Sequence, residues 1–67
     1  MNKTELLRNK LKLVKDSYED FLGVADDVAE YNGTDLVLDY LEKHRDSTTS
    51  DVILFVTEEI FGIKPLI

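Results

Sequence analysis

Between residues 16 and 30 the chain reads DSYEDFLGVADDVAE, six carboxylates with no basic residue among them. Carboxylates at i, i+4 spacing, as in Asp16–Asp20 and Asp26–Glu30, share one face of a helix and offer the oxygen ligands that hard divalent cations take. Di-metal sites in helical proteins, however, combine glutamates with a Glu-x-x-His pattern aimed into the bundle core. No histidine accompanies these acids. Asp16, Glu19, Asp20, Asp26, Asp27 and Glu30 also fall on positions facing away from the apolar stripe of the same segment. The run reads as an acidic surface, and no metal is expected.

His44 is the single histidine, set between Lys43 and Arg45 at the end of a helical pattern. Positive charge there complements the carboxyl end of a helix dipole, which is the simpler role than base or ligand. No serine or threonine is recognisably paired with it. Gly23, Gly33 and Gly62 stand alone rather than forming a phosphate loop. The cysteine count of zero removes thiolate chemistry, disulfides and thiolate metal sites together. The expectation is a non-enzymatic protein with no cofactor.

These residues sit on elements that apolar spacing defines. Leu7, Leu11, Val14, Tyr18, Phe21, Ala25 and Val28 alternate steps of four and three, a heptad seam that Leu22 and Ala29 widen. Thr4 can cap its start, and Asn32-Gly33 can stop it in the left-handed conformation. The spacing predicts one long helix over residues 5–31, about 40 Å at 1.5 Å per residue, with a kink at Gly23 as the alternative. A second helix is expected over 35–45, capped by Thr34. Its face is made by Leu36, Val37, Tyr40, Leu41 and His44.

Residues 52–57 are rich in β-branched and aromatic side chains, as a buried strand would be. Helical spacing nevertheless continues through Val52, Val56, Ile60 and Ile63. Ser50 or Asp51 can cap the front, and Gly62 and Pro65 follow in the order that ends helices. A lone strand would have no partner in this chain, so a third helix over 51–61 is expected. The fold class is all-α, a single small three-helix domain spanning residues 1–67.

Fourteen acidic residues against eight basic ones give a net charge of −6, a field that repels phosphate backbones and argues against direct nucleic-acid binding. The N-terminal stretch lacks a signal-peptide h-region, and the longest apolar run, Val52–Val56, is far short of a bilayer span. A cytoplasmic protein without membrane contact is expected. The charge is unevenly placed. Residues 1–15 carry a net +4 and residues 16–30 a net −6. This order opposes the macrodipole of a single helix. An antiparallel second copy would bring the two halves into register, so a homodimer is one expectation; a seam covered by the other helices of the same chain is the other.

The functional expectation is a protein-interaction module, self-associating through apolar helix faces, with Tyr18, Phe21, Leu22, Phe55 and Phe61 as anchors of core or interface. The alternative is an acidic inhibitor whose carboxylates imitate phosphates toward a basic protein.

Overall fold

The structure, a computed structural model, describes residues 2–63, and among them it is all-helical. The first helix, α1 (Lys3–Leu11), begins at Asn2, whose side chain accepts from the Glu5 N–H. It ends far earlier than heptad spacing implies. Residues 12–18 form a turn, followed by α2 (Glu19–Leu22) and α3 (Val24–Glu30). The continuous 5–31 helix is therefore corrected to three shorter helices, with a reversal between the first and the second.

Local features of the turn accommodate the break. Asp16 adopts φ 63°, a left-handed conformation that Asp tolerates better than most residues. The Ser17 hydroxyl donates to the Lys12 carbonyl at 3.2 Å, offering the backbone a partner outside the helical ladder. The charge order then agrees with the dipoles instead of opposing them. Arg8 and Lys10 lie in the last turn of α1, Glu19 and Asp20 in the first turn of α2, Asp26 and Asp27 in the first turn of α3.

At Gly23 the backbone stays right-handed (φ −65°, ψ −17°) but tightens, with i→i+3 bonds from Gly23 N–H to Asp20 and from Asp26 N–H to Gly23. The anticipated interruption there is thus a pinch between α2 and α3. Helix α3 ends in a Schellman motif. Asn32 takes φ 56°, the Gly33 N–H donates to the Val28 carbonyl at 2.9 Å, and the Asn32 N–H donates to Ala29.

Next comes α4 (Thr34–Lys43), whose N-cap is Gly33 rather than Thr34. Then α5 (Thr49–Phe55) runs into a π-helical turn, Val56–Ile60. The ambiguous 52–57 stretch is helical, as its spacing requires. Its cap is Thr48, not Ser50 or Asp51. The Thr48 hydroxyl accepts from the Asp51 N–H while the Asp51 carboxylate accepts from the Thr48 N–H, a reciprocal capping box. Gly62 ends the segment at φ 72°, as expected of it, whereas Pro65 lies outside the described residues. The wider π turn seats Ile60 directly over Gly33, where a Cβ would come within 2.6 Å of the Ile60 Cδ1. It also places the Phe61 ring 4.9 Å from that of Tyr31.

One core joins all five helices. Leu7, Leu11, Phe21, Ala25, Val28, Val37, Val52 and Val56 are buried together. The radius of gyration, 11.0 Å, equals the value of about 11 Å expected for a compact chain of this length. The heptad residues therefore serve as core, but through α1 folding back on α3 and α4. Val14 in the turn is half-buried, and Tyr18 is out of the seam altogether at 52% exposure. On α4, Val37 is buried while Leu36 and His44, assigned to its apolar face by spacing, are exposed.

Candidate protein-docking groove

The residues singled out by sequence separate in the fold. Phe21 is core at 1% exposure, and Leu22 is half-buried beside it. Phe55 is half-buried and stacks on Tyr40, ring centroids 4.1 Å apart and 23° from parallel. Phe61 is held against Tyr31, leaving Tyr18 as the exposed member of the five. Four of these anchors thus support the interior and do not form one surface.

The six acids are all exposed, and they are not equivalent. Arg8 of α1 donates from one Nη to both oxygens of Asp26, at 2.8 and 2.9 Å. Lys3 reaches Asp35 at the start of α4 at 2.9 Å, and Lys43 pairs with Asp39 at i, i+4 spacing. One ion pair, Arg8–Asp26, joins the basic and the acidic half within the chain, where α1 lies against α3. Among the described residues no three His, Asp or Glu side chains converge to hold a metal ion. Among them, too, no buried side-chain polar atom lacks a hydrogen-bond partner.

A different surface brings apolar and charged groups together. Where α1 packs on α4, a groove of about 700 Å³ opens between Leu6, Lys10, Leu13 and Val14 on one side and Leu38, Leu41 and Glu42 on the other. His44, Arg45 and Ser47 close its end. Leu13 is 83% exposed and Leu6 is 38% exposed, whereas Val14, Leu38 and Leu41 are half-buried and form the floor. Helix α1 positions Leu6 and Lys10 one turn apart, and the 12–18 turn swings Leu13 out beside them.

The sequence held a signal for this surface. Leu6, Lys10 and Leu13 repeat at i, i+4 and i+7, one position out of phase with the Leu7–Leu11–Val14 seam. That second stripe is hidden by the stronger one as long as the segment is treated as a rod with a single apolar face.

No family model, no curated protein and no solved structure matches the chain.

Proposed function

We propose that this chain is a non-enzymatic protein-interaction module whose binding face is the α1–α4 groove. The observation carrying this reading is the exposure of Leu13 beside Leu6 on a floor of half-buried leucines, in a chain whose seam is already used as core. Clustered apolar side chains at a concave surface are favourable places for a partner side chain to leave water. Homodimerisation through the Leu7–Val28 seam would require opening the core. Self-association therefore falls to the exposed Leu36, Leu54 and Ile63 or to the groove itself.

Sedimentation equilibrium and amide chemical shifts measured over a dilution series test both forms. Shift changes confined to the groove, abolished by Leu13→Ser, are the expected result for groove-mediated contact. A chain whose seam residues, rather than its surface, respond to dilution would overturn the reading.

A second reading, the acidic inhibitor, is supported by one observation. Glu19, Asp20, Asp27 and Glu30 are exposed and make no ion pair among the described residues. Binding to a basic protein that survives neutralisation of Asp27 and Glu30 to Asn and Gln would remove that reading.

A further inference from the structure

Resting on the proposed docking groove, we infer that its occupant is a short segment of another protein that combines apolar side chains with carboxylates. The argument begins with how the fold distributes its cations. Lys3, Arg8 and Lys43 are each held by an aspartate. Lys10, Lys12, Lys15 and Arg45, in contrast, are exposed and make no ion pair among the described residues, and of these Lys10 and Arg45 line the groove. Lys10 and Arg45 outnumber Glu42, the one acid lining the groove, although the whole chain carries −6 and Asp46 and Asp51 share an adjacent pocket with Arg45. Positive charge flanking an apolar floor favours a ligand with leucine-like side chains toward the floor and Glu or Asp toward the rim.

Size and symmetry decide between a segment and a second copy. The groove's volume, about 700 Å³, lies within the range of about 300–1,000 Å³ of clefts that take a few side chains, which a short segment can fill. The unpaired acids Glu19, Asp20, Asp27 and Glu30 that a second copy could present lie on α2 and α3, which contribute nothing to the groove lining, and the groove's own acid is Glu42 alone. Contact between two such different faces is head-to-tail and continues to further copies rather than closing as a dimer. A second copy also brings its own net charge of −6, so long-range repulsion exceeds that from a short peptide of a few carboxylates.

The test is selection of random peptides of about a dozen residues on the intact protein, followed by affinity measurement for the enriched sequences and for their Glu→Gln and Glu→Lys versions. The expected result is enrichment of peptides mixing leucine or phenylalanine with acids, against the global charge of the protein. Binding should fall about tenfold on the combined Lys10→Glu, Arg45→Glu substitution, because each exposed ion pair contributes a few-fold. It should also weaken as ionic strength rises. Leu13→Ser should remove binding while leaving the melting temperature unchanged, because that side chain stands in solvent.

Enriched peptides that map to the groove by chemical shift yet bind equally as Glu→Lys versions would overturn the acidic occupant and leave the groove reading intact. Peptides that bind elsewhere, or no enrichment above an unrelated acidic protein, would overturn both. Self-association that shifts the groove residues and competes with the peptides would replace the segment with a second copy.

Discussion

The Lys15 carbonyl accepts two hydrogen bonds from Thr49, one from its backbone N–H and one from its hydroxyl, each 2.9 Å long. Thr49 is the buried first residue of α5, and Lys15 sits in the turn between α1 and α2. One carbonyl thus ties the chain reversal to the start of the last helix, 34 residues away. Thr49→Val keeps the shape and the backbone bond but removes the hydroxyl donor. A loss of about 1 kcal/mol in urea denaturation is expected, and Thr49→Ser, which restores the donor, should recover more than its smaller size would allow. Equal stabilities for the wild type and Thr49→Val would show that the second bond contributes nothing.

Gly33 is excluded from substitution by packing more than by its backbone, which sits at φ −101°. A Cβ there would meet the Ile60 Cδ1 at 2.6 Å and Cγ2 at 2.9 Å. Gly33→Ala is expected to destabilise by about 1–3 kcal/mol, the usual range for overpacking. Ile60→Val removes the closest methyl, so the double variant should be more stable than the sum of the single losses implies. Strict additivity would place the strain elsewhere.

Arg8 and Asp26 link the basic helix to the acidic one across the surface, with side chains 39% and 63% exposed. Exposure in water limits such a pair to about 0–1 kcal/mol. A double-mutant cycle with Arg8→Met and Asp26→Asn should therefore give a coupling below about 1 kcal/mol, shrinking further at high salt. A coupling several times larger, insensitive to salt, would mean that the pair is shielded in solution.

Tyr18 and Phe21 are three residues apart, their rings 6.0 Å apart, yet the fold gives them different roles. Phe21→Ala opens a cavity in the core, and about 3–5 kcal/mol is the expected loss. That matches the whole stability a domain of this size usually has, so the cooperative unfolding transition should disappear. Tyr18→Ala should change stability by less than about 1 kcal/mol, since half of that side chain already faces solvent. A comparable loss at both positions would restore the heptad reading, in which they belong to one continuous seam.

Composition and periodicity were enough to establish several features of this protein: an all-helical chain, buried positions at Leu7, Leu11, Phe21, Ala25, Val28, Val52 and Val56, the stop at Asn32-Gly33, and the acids outside the core. Local patterns specify these because burial follows helical spacing and left-handed ends follow residue type. The turn at residues 12–18 was decided only by tertiary structure. Heptad spacing is blind to a reversal whose length happens to preserve phase, so Leu7 and Phe21 satisfy one stripe whether the chain runs straight or folds back. What favours the reversal is non-local: Thr49 waiting for the Lys15 carbonyl, Arg8 meeting Asp26, and a shared core that a straight rod could not close. The same reversal exposes Leu13 beside Leu6 and leaves Lys10 and Arg45 together at one groove, a juxtaposition of residues 35 positions apart in the chain. Sequence spacing alone does not encode it, because it depends on how α1 and α4 lie across each other.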